Sequence, residues 1–265
     1  MLAVDKGEHS AMDFLVECVP HPGGHVLEST GTTITVELGI EHPDGRITPY
    51  LLHVEAKGKG VMVREVSPSN LPGFCPARHI NSDGSFCLSF PEVERFGIDD
   101  EEQAAHWWMV VYKFLQLQRR AAARRSWPEP EWAHGSAAYH QHRAEQAASA
   151  ISSDLGVAMK ANRLSVTGRR RGNHGCLLRV LLDGQRLYAI WPEINRVMTK
   201  RRPCLCADEF PLAISSCAHH EEQAVMLARS LKGMEAAEAE FWGGFAGRKC
   251  CGTMDGCPLP IEEAA

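Results

Sequence analysis

No uninterrupted apolar run in this chain approaches the length of a membrane-spanning helix. Nor is there a surplus of positive charge: 28 Lys and Arg stand against 33 Asp and Glu, for a net charge of −5 and a pI near 6.2. Bulk electrostatics therefore do not make the molecule a nucleic-acid binder. No basic, apolar leader opens the sequence; Asp5, Glu8 and Asp13 stand there instead, and the expectation is a cytoplasmic chain. Internal repeats are absent. The apolar share of 44% and charged share of 23% are ordinary for a soluble globular protein. A length of 265 residues allows one large domain or two small ones, with a real core to bury.

Cysteine is abundant. Ten in a reducing compartment argue for metal binding or catalysis before disulfides. Cys18, Cys75 and Cys87 are scattered through the first half, whereas Cys176, Cys204, Cys206, Cys217, Cys250, Cys251 and Cys257 crowd the second. The shift predicts two regions, residues 1–152 and residues 153–265.

One of these thiols stands in a distinctive context: Cys75-Pro76-Ala77-Arg78-His79-Ile80-Asn81-Ser82-Asp83-Gly84-Ser85-Phe86-Cys87-Leu88. Cys87 follows a polar, glycine-containing turn, with His79 eight residues upstream and Asn81 six upstream. A thiol held in an irregular loop beside hydrogen-bond donors is poised for acyl chemistry, whereas one in the middle of an apolar strand or helix usually is not. A cysteine taken without context is more often an inert buried residue. Cys75 reads as structural.

Around this loop the patterning is regular. Residues 25–66 read as a β-meander: residues 32–40 are β-branched and alternating, His42-Pro43-Asp44-Gly45 is a turn, and residues 47–56 and 61–66 give two further strands. The Pro- and Gly-rich run at 67–73 breaks regular structure before the loop. Beyond Cys87 come Pro91, Gly97 and the acidic run 99–102, where Asp99 and Asp100 read as a solvated loop. Trp107, Val110, Val111, Phe114 and Leu115 then share one face of a 3.6-residue period, predicting a helix whose stripe is core. Arg119, Arg120, Arg124 and Arg125 read as its solvated end. After the break at Trp127-Pro128-Glu129-Pro130-Glu131-Trp132, residues 137–151 are helical by their alanines and lack of Gly or Pro. Residues 176–182 and 186–191 flank Asp183-Gly184 as a hairpin, and residues 221–241 form a last helix.

A three-strand meander, a proline-rich passage, a loop ending in Gly84-Ser85-Phe86-Cys87-Leu88 and a tryptophan-initiated helix form an ordered set over roughly residues 10–150. That set resembles the ubiquitin-conjugating enzymes, and more closely their bacterial relatives. Cys87 falls on the family's catalytic cysteine and Trp107 near the tryptophan that opens the following helix. The passage from Pro128 to Tyr139 is similar to the family's proline-led entry into the next helix. One departure matters. The family's usual His-Pro-Asn places an asparagine eight residues before the cysteine. Here His79 holds that position, as in bacterial members of the group, with Ala77 and Arg78 before it. Asn81 substitutes if the loop shifts by two residues.

The resemblance implies an α+β fold, an antiparallel meander with flanking helices, followed here by a small cysteine-rich, zinc-binding C-terminal region. It implies that Cys87 accepts a ubiquitin-like protein from an activating enzyme as a thioester and passes it to a target lysine, with His79 and Asn81 as assisting residues. No cofactor is needed for that transfer. It also implies operon partners, an activating enzyme and often a metal-dependent deconjugating peptidase, and a setting in defence against phage. Two other readings stand beside it: a non-catalytic scaffold of the same fold, against which Cys87 counts, and a cysteine hydrolase. The hydrolase ranks last because such enzymes usually bring their histidine from elsewhere in the fold.

The tail carries its own signal. Cys204-x-Cys206, ten intervening residues and Cys217-x-His219-His220 have the look of a four-ligand zinc site of Cys204, Cys206, Cys217 and His219, with His220 competing for the fourth place. A structural zinc there would hold together a region with few apolar residues to bury. The cluster Cys250, Cys251, Cys257 completes that site, joins Cys176 or His174 in another, or holds reduced thiols without metal. The basic runs at 169–171 and 200–202 read as solvated surface, with an acidic partner or nucleic acid as the sharper alternative.

Overall fold

The computed structural model describes residues 9–260 except 22, 59, 68–69, 91–92, 94–96, 130–131, 171–174, 200–201, 207–211 and 218–219. His219, His174, Arg171, Lys200, Arg201, Pro91, Pro130 and Glu131 thus lie outside the described residues. The fold is α+β, with two antiparallel sheets. Among the described residues no helix is long and apolar enough to cross a membrane. The chain divides into two compact units, Met1–Glu129 with Gly247–Ala265, and Pro130–Ala246.

The first unit opens with α1 (Ala11–Glu17), started by a capping box in which the Asp13 amide donates to Ser10 Oγ and the Ser10 amide donates to Asp13. Four strands follow, β1 (Gly24–Ser29), β2 (Thr33–Glu41), β3 (Ile47–Lys57) and β4 (Gly60–Glu65), in a meander of order β1-β2-β3-β4. Period-two alternation sends Ile34, Val36, Leu38 and Ile40 of β2, with Tyr50, Leu52 and Val54 of β3, into one core. The edge strand β1 lacks that alternation, since only Gly24 is buried. A Cβ at Gly24 would lie 2.4 Å from Val19 Cγ1 and 2.7 Å from the Pro20 carbonyl, so this close approach requires glycine.

Helix α2 (Glu101–Arg124) closes that core. It begins six residues before Trp107, because Asp100 caps it by accepting from the Gln103 amide at 2.8 Å. The Asp100 carboxylate is thereby part of a helix start and not of a solvated loop. Trp107, Val111, Phe114 and Leu115 are buried as the stripe predicts, and Val110 is half-buried. Trp108 is buried too, its indole N–H donating to the Leu15 carbonyl. At the C-terminal end, Arg119 pairs with Asp44 and Arg125 with Asp255.

The second unit contains α3 (Ala137–Ile151), α4 (Ser153–Lys160), a sheet of β5 (Leu164–Arg170), β6 (Cys176–Leu182), β7 (Gln185–Trp191) and β8 (Arg196–Val197), and α5 (His220–Gly243). Asp183 and Gly184, both at positive φ, turn β6 into β7. The division after Glu129, well before residue 152, has a physical reason. The small buried face of α3 (Ala144, Ala147, Ala148) packs against α5, whose facing residues include Ala224 and Ala228. This unit also has an apolar core of its own, with Leu164, Val166, Leu178, Val180, Tyr188, Ile190 and Leu227 buried. The expectation of few apolar residues to bury is corrected accordingly.

Candidate active site and metal centre

The loop before Cys87 is tied down at each step. Glu65, at the end of β4, turns inward and accepts from the Asn70 and Leu71 amides and from the Asn70 side chain, holding the proline-rich passage. Cys75 and Ile80 then pair as an isolated bridge around the 3-10 turn Pro76–Arg78, and His79 ends that turn in the left-handed region at φ 56°. Ile80 pairs with Phe86, and Ser85 pairs with Arg64 of β4. Between them lies a tight turn. The Asn81 amide donates to the Ser85 carbonyl, Gly84 donates back to the Asn81 carbonyl, and the Asp83 carboxylate accepts from the Ser85 amide and hydroxyl.

Phe86 is buried, its ring stacked on Phe114 of α2 at 4.7 Å between centroids, and its amide donates to the Val63 carbonyl. The next residue, Cys87, is exposed. The Cys87 amide donates to the His79 carbonyl at 2.8 Å, so the structure brings these two residues together through the backbone. The half-buried imidazole of His79 meets the Trp127 ring edge-on at 4.6 Å. Asn81 is placed otherwise: its side-chain amide donates to Ser85 Oγ at 3.0 Å, within the turn. Beside the turn is a cleft of about 270 Å³ lined by Arg64, Pro72, Gly73, Asp83, Gly84 and Phe86.

Behind the loop, Arg78 is 3% exposed and Gln118 of α2 is fully buried. The guanidinium donates to Gln118 Oε1 at 2.8 Å and to the Gln118 carbonyl at 3.1 Å, and Gln118 donates back to the Arg78 carbonyl at 2.7 Å. These bonds fix the 3-10 turn to α2. Cys75, which sequence reasoning set aside as structural, has its sulfur 2.9 Å from that of Cys251. The two are 176 residues apart, so no local pattern announces the pair.

In the second unit, one cluster among the described residues could hold a metal: Cys204, Cys206, Cys217 and His220, with one donor atom each, all within 4.8 Å of one another. Cys204 follows a short ladder in which Pro203 pairs with Ala213 and the Cys204 amide donates to the Leu212 carbonyl. Cys217 follows the 3-10 turn Ile214–Ser216, and His220 is the first residue of α5. The Cys206 and Cys217 sulfurs are 3.8 Å apart, and His220 Nδ1 is 3.1 Å from Cys204 Sγ and 3.0 Å from Cys217 Sγ. Zinc–sulfur bonds of about 2.3 Å in a tetrahedron put sulfurs about 3.8 Å apart, so the donor set fits. Burial, then the neighbouring thiols of Cys204 and Cys206, push Cys217 up to about 12. A cation among them reverses that cost by stabilising the thiolates. The fourth donor among the described residues is thus His220, a residue the sequence offered as the competitor of His219. Of the other cysteines, Cys176 lies on β6 in the second unit, whereas Cys250, Cys251 and Cys257 belong to the first.

Comparison with protein families gives two matches. Residues 23–129 match the family described as the prokaryotic E2 domain, and residues 133–259 match that described as the cysteine-rich domain C-terminal to the E2 domain. Neither curated proteins nor solved structures gave a match.

Proposed function

We propose, from a chain that belongs to the prokaryotic E2 family and carries that family's cysteine-rich companion domain, a conjugating enzyme whose acyl carrier is Cys87. The observation that carries this reading is the exposed Cys87 thiol at the end of a loop fixed by Glu65, Phe86 and the Arg78–Gln118 pair, inside the matched E2 segment. An E2-type role entails an activating enzyme and a ubiquitin-like protein as partners in general.

The chemistry runs in two steps. The Cys87 thiolate attacks the thioester carbonyl carbon of the activating enzyme's loaded cysteine. The new C–S bond forms, the old one breaks, and the donor leaves as a thiolate. One thioester replaces another, so the exchange is near neutral and needs no cofactor. In the second step a target lysine amine attacks the Cys87 thioester, forming an amide and releasing the Cys87 thiol. The oxyanion that develops is where one positioned donor contributes about 3 kcal/mol, a hundredfold or more in rate. His79, whose carbonyl accepts from the Cys87 amide, is the residue to which this reading gives donation to that oxyanion or removal of the amine's proton. Asn81 acts as a brace of the turn through Ser85.

The metal of the Cys204–Cys206–Cys217–His220 cluster is zinc, with a structural role: it fastens the segment from Pro203 onward to the start of α5. A cytoplasmic location, a deconjugating metallopeptidase as operon partner, and a bacterial antiphage conjugation system as setting complete the proposal; these rest on the resemblance alone.

Reconstitution with the cognate activating enzyme and ubiquitin-like protein tests it. A thiol-sensitive adduct is expected that disappears in Cys87→Ala and becomes thiol-resistant in Cys87→Ser. No adduct at all would leave a scaffold, and turnover of a conjugate without a loaded intermediate would leave a hydrolase.

A further inference from the structure

A buried guanidinium is costly unless an anion or a full set of acceptors faces it. Arg78 has no carboxylate partner among the described residues: its hydrogen bonds go to Gln118 Oε1, the Gln118 carbonyl and Thr253 Oγ1, all neutral. The groups whose charge it feels are the sulfurs of Cys75 and Cys251 and the Tyr50 phenol. Of the two thiols, Cys251 is the one its surroundings lower. Its sulfur lies 2.9 Å from that of Cys75 and contacts Thr253 Oγ1 at 3.0 Å. Those hydrogen bonds, that of Cys75 first, outweigh partial burial, and with the positive charge of Arg78 they bring the Cys251 thiol down to about 5. Cys75, 1% exposed, is pushed the other way by its contact with Cys251 and by burial.

We propose that Cys251 and Cys75 are a peroxide-reactive thiol pair that closes to a disulfide between the C-terminal segment and the loop presenting Cys87. The Cys251 thiolate attacks one oxygen of a hydroperoxide. A S–O bond forms, the O–O bond breaks, and hydroxide leaves, taking a proton as water. The Cys75 sulfur then attacks the resulting sulfenic acid sulfur. The S–S bond forms, the S–O bond breaks, and the thiol proton departs with the hydroxyl as a second water. The sum is two thiols and one hydrogen peroxide giving one disulfide and two waters, and a dithiol reductant returns two electrons and two protons to reopen it.

Three features suit the step. The sulfurs need move only about 0.9 Å to reach a bonded separation of about 2.05 Å. Cys251 is partly exposed, so a molecule as small as a hydroperoxide has access. The segment is already docked: Arg125 donates to Asp255 at 2.6 Å and to the Gly252 carbonyl at 3.1 Å, and Met254 is 4% exposed. The bond would lock the Cys75–Ile80 bridge, one rung from the Ile80–Phe86 pair that precedes Cys87. The inference stands apart from acyl transfer, because both thiols lie outside the nucleophile position.

Brief treatment of the reduced full-length protein with stoichiometric hydrogen peroxide, followed by trypsin and non-reducing mass spectrometry, decides it. The peptide of residues 65–78, which contains Cys75, should appear joined to that of residues 250–265, at two hydrogens less than the sum. Fragmentation should place the bond on Cys251. The bond should persist in Cys87→Ala and Cys250→Ser and vanish in Cys251→Ser. The proposal fails if the two peptides stay separate in the wild-type protein, or if the bond lies on Cys250 or Cys257. It also fails if the untreated protein carries a second equivalent of zinc that protects Cys75 and Cys251 from alkylation.

Discussion

Cys87 stands exposed directly after a buried Phe86, whose ring is stacked on Phe114 and anchors the end of the loop. His79 takes part differently. At φ 56° it occupies a conformation that asparagine and glycine tolerate and alanine resists, by roughly 1 kcal/mol. His79→Ala therefore mixes loss of the imidazole with strain in the loop, while His79→Asn keeps the backbone and removes only the base. For His79→Asn, loading of Cys87 is expected to stay within about twofold of wild type, while discharge to free lysine falls on the order of 10²-fold where the imidazole takes the amine's proton and stays near wild type where it only donates to the oxyanion, which the asparagine amide does as well. Equal losses in both steps of a single-turnover assay would reduce His79 to a holder of the loop. Asn81 gives a contrasting case. Asn81→Ala, which removes one of the two partners of Ser85 Oγ and leaves Asp83, is expected to lower loading and discharge together, by severalfold at most, because it loosens the turn under both steps. The Cys87 motif was readable in the sequence because its parts are neighbours. The Cys75–Cys251 contact was not, since only the folded chain brings such distant residues together. Likewise the place of His220 beside the three thiols depends on where α5 begins, a boundary that patterning leaves open by a residue or two.

Among the elements, those with a strong period were legible: the alternating β2 and β3, the apolar stripe of α2, the alanine-rich α3 and the Asp183-Gly184 hairpin. Those that escaped have no such period. Helix α1 is two turns long, β1 buries only its first residue, and β5 ends in a run of exposed polar positions. The joint between α2 and the 3-10 turn was equally hidden, because an isolated Gln in a helix and an isolated Arg in a loop carry no mutual signal. It nevertheless governs where the loop sits. Gln118→Leu would fill the space but remove the acceptor of the Arg78 Nε–H and the donor to the Arg78 carbonyl, leaving the buried guanidinium with the residue-118 carbonyl and Thr253 Oγ1. Uncompensated burial of this kind costs about 3 kcal/mol or more. Equilibrium urea unfolding of the first unit's transition should move to markedly lower denaturant with an unchanged slope. A loss under about 1 kcal/mol would mean that water or a shifted side chain replaces Gln118.

On the scale of the entire chain, the second unit raises the question of what a metal contributes where an apolar core already exists. Leu164, Val166, Val180, Tyr188, Ile190 and Leu227 bury their side chains without help from the cysteine cluster. A zinc bound by Cys204, Cys206, Cys217 and His220 would fasten a segment whose regular structure, among its described residues, amounts to one bridge and one 3-10 turn, and join it to the first turn of α5. Purified under reducing conditions, the protein is expected to hold one equivalent of zinc, lost in Cys217→Ser and His220→Ala and kept in His219→Ala. The reverse result for the two histidines would put His219 in the ligand set. Stability within the unit should divide along the same line. On chelation, hydrogen exchange should quicken by an order of magnitude or more across residues 203–221, where thiols packed against one another must otherwise share their protons. Strands β5, β6 and β7, held by their own ladder and core, should keep most of their protection. If chelation instead stripped protection from those strands as well, the metal would be a condition for the unit's folding and the apolar core too weak to stand without it.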